Sequence, residues 1–145
     1  MNTDKELLCS EKQAITGTAV STDSILMTGN LGADRTRNLR AIAQIETAIS
    51  GGTGTSLTAE LISADNAALT TNVTSLYSSG AVLSAALLAG VRLIDIPMPK
   101  VSQAYLGFRY TRATGDFALG NITAGLVVGT DTALADRPSF ESHGF

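Results

Sequence analysis

The sequence predicts an all-β protein, a sandwich or a barrel built on one domain. Three observations carry this. Apolar residues recur with period two along several segments, as in strands with one wet face. About eight such segments follow one another, separated by Gly, Pro, Ser and Asn, at a spacing of roughly 8–15 residues, which favours antiparallel strands over alternating βα units. The composition agrees: of 145 residues, 44% are hydrophobic and only 16% charged. A chain of this length buries a core without staples, and its frequent Thr suits half-exposed strands.

Taken in order, "QAITGTAVSTDSILMTG" reads as two short strands. Leu39 to Ile49 alternates, with Leu39, Ala41, Ala43 and Ile45 on one face and Arg40, Ile42, Gln44 and Glu46 on the other; its many alanines leave a helix as the rival reading. "SGGTGTS" then breaks the chain, and a hairpin is expected there. Ser56 to Ser63 alternates again, with Leu57, Ala59 and Leu61 opposite Thr58, Glu60 and Ile62. "SADNAALTTN" is turn-like and "VTSLYSSG" a further short strand. Ala81 to Gly90 is the best helix candidate, or else loop plus one turn. Val91 to Met98 reads as a strand ended by Pro97 and Pro99, which have no N–H for a ladder. A closing hairpin is expected from Ala104 to Gly129, turning at "ATGD" with Gly115 free to take positive φ. Leu106, Phe108, Tyr110, Ile122, Leu126 and Val128 are its expected core residues, with Ala124 on their face.

The totals exclude several functions. Net charge is −3 and the ten basic residues are scattered, with the densest group at Arg35, Arg37 and Arg40. Nucleic-acid binding needs clustered cations to displace counterions, so it is not expected. Cys9 is the single cysteine. It allows no internal disulfide, which suits a reducing compartment, and it is expected as a small buried apolar residue. The N-terminal residues do not read as a signal peptide. The richest apolar stretch, Ala81 to Leu93, is too short to span a bilayer.

No motif assembles a catalytic centre, and neither a cofactor nor a metal is expected. His143, the one histidine, stands two residues before Phe145, a poor place to hold a base. One Cys and one His so far apart do not make a zinc site. Glu46 and Glu60 are candidates to face each other across the glycine-rich turn, with Asp95 in another strand, but solvated strand faces account for them. "GGTG" lacks the Lys-Ser/Thr end of a phosphate loop. The Asn121-Ile122-Thr123 sequon is taken as chance. Candidate partner contacts are Tyr105 and Arg109 on one face, Arg112 beyond them, Leu7 and Leu8 near the start, and Phe140 and Phe145 in the polar tail. The chain is thereby divided into an N-terminal arm (1–10), a β domain (11–130) and a C-terminal tail (131–145).

"DKELLCSEKQAITGTAVSTDSILMTG", from Asp4 to Gly29, resembles the opening of the capsid cement (decoration) proteins of tailed bacteriophages. "IDIPMP", from Ile94 to Pro99, is similar to that family's strand-plus-proline segment, and "AYLGFRYTRATGDFALGNITAGLV" to its closing hairpin. The resemblance spans most of residues 4 to 130. It implies a jelly-roll-like antiparallel β-sandwich with extended termini, bound outside an icosahedral head. There it sits as an oligomer, a homodimer or homotrimer at two-fold or three-fold positions, cementing junctions between major capsid protein subunits. It implies no catalytic residues, no contact with nucleic acid or membrane, synthesis in the host cytoplasm and a final place on the virion surface. The competing expectations are a carbohydrate-binding adhesion module and another virion part, such as a tail or head-completion protein.

Overall fold

The computed structural model describes residues 3–27 and 39–128. Among the described residues, ten strands form two antiparallel sheets. In chain order they are β1 (Thr3–Ala14), β2 (Ala19–Val20), β3 (Ile25–Leu26), β4 (Leu39–Ser50), β5 (Gly54–Ala64), β6 (Thr74–Ser78), β7 (Val82–Leu83), β8 (Arg92–Pro97), β9 (Tyr105–Thr114) and β10 (Leu119–Val128). One sheet has the order β1-β10-β4-β8. The other runs β2-β9-β5-β6, with β3 also on β9 and β7 also on β5. The segment from Ala81 to Gly90, read as a helix or else as loop plus one turn, is not a helix: it holds β7 and a single 3-10 turn, Ser84–Ala86, close to the second reading. Gly80 and Gly90, both at positive φ, bound the segment.

The period-two pattern places the core. Ala41, Ala43, Ile45, Leu57, Ala59, Leu61, Ile122, Ala124 and Leu126 are fully buried and join one cluster drawn from both sheets. Leu106, Phe108 and Tyr110 belong to it, also at 0% exposure. A second, smaller cluster lies on the other side of β5 and β9, where Leu69 of the 65–73 loop covers Ile62 and Ala64. That explains why Ile62, on the polar parity of β5, is also buried.

Both hairpin expectations are overturned. β4 and β5 are joined by a tight glycine turn yet lie in different sheets, and so do β9 and β10. Consecutive strands pair with each other in most folds, but here the glycine turns are arches from one sheet to the other. Four arches stand side by side at one end: residues 15–18, 115–118, 51–53 and 84–91. Hydrogen bonds stitch each to its neighbourhood: Phe117 N donates to Thr16 O at 2.8 Å, Thr53 N to Asp116 O at 3.0 Å, and Ile49 N to Leu87 O at 3.0 Å. Gly115 does not take positive φ; Thr114 does, at 71°, and Gly115 is required because a Cβ there would collide with Thr53. Glu46 and Glu60 consequently lie in different sheets and do not form a pair.

The start of the chain also departs from expectation. Residues 3–10 are not an arm outside the sandwich. They are most of β1, hydrogen-bonded to β10, and Cys9 and Ser10 are fully buried. Leu7 packs against the core, and Leu8 stands opposite Gly125 on β10.

Candidate functional site

The candidate contact residues fall in three places. Tyr105 and Arg109 share the outer face of the β9 sheet, as their spacing requires. Tyr105 packs on the small cluster of Ile62, Ala64 and Leu69. Arg109 Nε donates to Glu60 Oε2 at 2.7 Å across the β5–β9 ladder, and Ser75 Oγ donates to Glu60 Oε1 at 3.2 Å. The Arg109 hydrogen bond, outweighing partial burial, holds the Glu60 carboxyl below its usual range.

Arg112 is not on that face. It stands opposite Leu57, at the arch end, with Nε 2.5 Å from Asp116 Oδ1 as a charge contact and Nη1 donating to Thr114 O at 3.3 Å. Leu7 and Leu8 lie on the other sheet. Phe140, Phe145 and His143, with the rest of the tail, lie outside the described residues.

Two features carry no sequence motif. The first is an ion cluster on the outer face of β4 and β8. Asp95 accepts from Arg40 Nε at 2.9 Å and from Arg92 Nη1 at 3.0 Å. Partial burial opposes its charge, but the two guanidinium groups together leave the carboxyl below its ordinary value. The second is a pair of exposed leucines, Leu83 at the end of β7 and Leu88 on the fourth arch. Its signal was present in the sequence as a long stretch without charge.

Cys9 is buried, as expected from its type, with Sγ 3.9 Å from Leu106 O. Burial, reinforced by Asp23, pushes its thiol up to about 12, so it stays protonated at neutral pH and is a poor nucleophile. Among the described residues, no three His, Cys, Asp or Glu side chains gather as metal ligands, and no helix is long and apolar enough to cross a membrane.

Fold and faces together define a two-sheet β-sandwich with ion-paired outer surfaces and one bare apolar arch. A family model described as Bbp16 matches residues 9–126, from within β1 almost to the end of β10, and the chain belongs to that family. No curated protein matches the sequence.

Proposed function

We propose that this chain is a capsid cement protein: a structural virion component that binds the outer surface of a phage head as an oligomer and braces junctions between major capsid protein subunits. The observation that carries the reading is the ordered resemblance of three segments, which supply β1 to β3, β8 and the β9–β10 pair. We read the interleaved order, 1-10-4-8 over 2-9-5-6, as a jelly roll. A brace must resist deformation, and a sandwich whose connections cross between sheets at one end is suited to that. A net charge of −3 is acceptable in a protein that meets other proteins and not the genome. Display in many copies lets modest contacts add through avidity. The protein does no chemistry in this reading and needs no cofactor.

The test is cosedimentation of the purified protein with expanded heads that lack it, with light scattering to count its subunits. Saturation at a fixed ratio to the major capsid protein is expected. A well-folded oligomer that stays in the supernatant at all concentrations overturns the proposal.

A further inference from the structure

Residues 65–73 join β5 to the edge strand β6. β6 lies on one side of β5 and β9 on the other, yet this loop reaches back across β5 to Gly107 on β9. Leu69 is its single buried side chain, at 3% exposure; Asn66 and Val73 are half-buried and the rest of the loop is exposed. A Cβ at Gly107 would overlap a methyl of Leu69, so glycine is what leaves the seat open. Gly107 stands opposite Ile62, and Tyr105 opposite Ala64, along the β5–β9 ladder. Leu69 thus closes over a strip of backbone and apolar side chains that is separate from the core between the sheets.

The loop is tied well to itself and lightly to the rest. Asn66 Oδ1 accepts from Thr70 N and from Thr71 N, each at 2.9 Å. Asp65 N donates to Thr71 O at 3.0 Å, and Asn72 Nδ2 to Asp65 Oδ2 at 2.8 Å. Among the described residues, the side chains that tie it to other segments are two. Ser24 Oγ donates to Ala67 O at 2.9 Å, and Gln103 Nε2 to Asp65 Oδ1 and Asn72 O. These bonds are exposed, so water replaces them at small net cost. The backbone adds a bias of its own. Leu69 is held at φ 58° and Asn72 at 52°. Asparagine tolerates the left-handed region, but a bulky side chain does not. Packing on Gly107 therefore keeps Leu69 in a conformation that opening relieves.

We propose that the 65–73 loop is a lid: it opens as a unit while the sandwich stays closed, with Leu69 as its latch and Gly107 as the seat. Opening releases the loop's one buried side chain and a few exposed bonds, whereas unfolding must part the two sheets. Local openings are drawn from segments with few buried apolar contacts and water-exposed hydrogen bonds. The strip uncovered is Ile62, Ala64 and Tyr105, next to the Glu60–Arg109 ion pair. The lid thereby sets how much apolar surface this sheet presents, and Tyr105, half-buried beside it, is shown more fully when it opens. The inference stands apart from the cement reading.

The experiment places a thiol beneath the lid with Ala64→Cys in the full chain, and with Ile62→Cys instead should the first variant not melt like the parent. Reaction with a soluble thiol reagent is followed from no urea to just below the unfolding transition. Cys9, buried between the sheets, reports opening of the sandwich in the same molecules. The introduced thiol is expected to react roughly tenfold faster than Cys9 or more, at a rate that low urea scarcely changes. Leu69→Ala, added to the variant, is expected to raise that rate by roughly tenfold and leave the rate at Cys9 unchanged. Two thiols that react at one rate, rising together with urea, overturn the lid, because the loop then opens only with the sandwich. A fast rate that Leu69→Ala does not alter overturns it too, because Leu69 is then not the latch.

Discussion

The hydroxyl of Tyr110 lies between the sheets with a partner on the opposite one. Ser10 Oγ gives its only proton to Gln13 Oε1 at 2.7 Å, so Tyr110 is the donor to Ser10 Oγ at 2.8 Å. Gln13 continues the chain of bonds to Val20 O and Thr22 N. Tyr110→Phe is expected to cost about 1 kcal/mol in urea unfolding, because Ser10 retains its bond to Gln13. Phe108→Ala removes a fully buried ring from the same face and is expected to cost ~3–5 kcal/mol. If Phe108→Ala unfolds at the parent's urea midpoint, the core assignment is wrong. Cys9 adds a pH dependence whose sign is fixed by its raised pKa. The folded state keeps the thiol protonated up to about 12, whereas the unfolded chain releases the proton near the ordinary value of 9.0. Its contribution is therefore complete below pH 9 and lost as pH rises towards 12, at a slope of about 1.4 kcal/mol per pH unit. Tyr110, likewise raised by burial, adds its own loss above pH 10. Cys9→Ala is expected to flatten unfolding free energy between pH 9 and 10, and an unchanged slope would show that the thiol is not held neutral.

At the scale of elements, the arches decide the architecture. Gly52 sits at φ +65°, and a Cβ there would strike the carbonyl oxygen of Asp116 on the neighbouring arch. Backbone cannot yield as a flexible side chain does, so Gly52→Ala is expected to lower stability by about 1–3 kcal/mol, read as a fall in melting temperature. A neutral outcome would mean that the two arches are not stitched as described. These arches also mark what a sequence conveys. Alternation in Ser56 to Ser63 and in Leu106 to Tyr110 reports which residues face inward, and those residues are buried. It does not report which strand lies alongside. A glycine turn between two apolar strands serves a hairpin or an arch equally well, and the choice is made by packing between sheets. The same holds for residues 3–10. Charged residues alternating irregularly around Leu7, Leu8 and Cys9 read as an arm, because the bulges in β1, with Lys12 at φ 46°, break the period that would have revealed a strand.

For the whole molecule, the candidate contacts were legible only where they are local. The face shared by Tyr105 and Arg109 follows from strand spacing, while the grouping of Arg40 and Arg92 around Asp95 needs the β4–β8 register and has no sequence signature. That difference matters for reading any truncation. Removing Met1 to Ser10 tests a peripheral contact if those residues form an arm. In this fold the deletion takes away most of β1, exposes the hydrogen-bonding edge of β10, and removes Cys9 and the Ser10 partner of Tyr110 from the space between the sheets. A strand edge so uncovered is a template for aggregation, and the lost burial of Leu7 and Cys9 opens the core on that side. The expected result is a chain that is aggregated or lacks a cooperative melting transition, measured before any binding assay. Its failure to bind heads would then report unfolding and not a lost contact. A truncated chain that stays soluble and melts like the parent would show that β1 is dispensable, and that the sandwich closes on β10 alone.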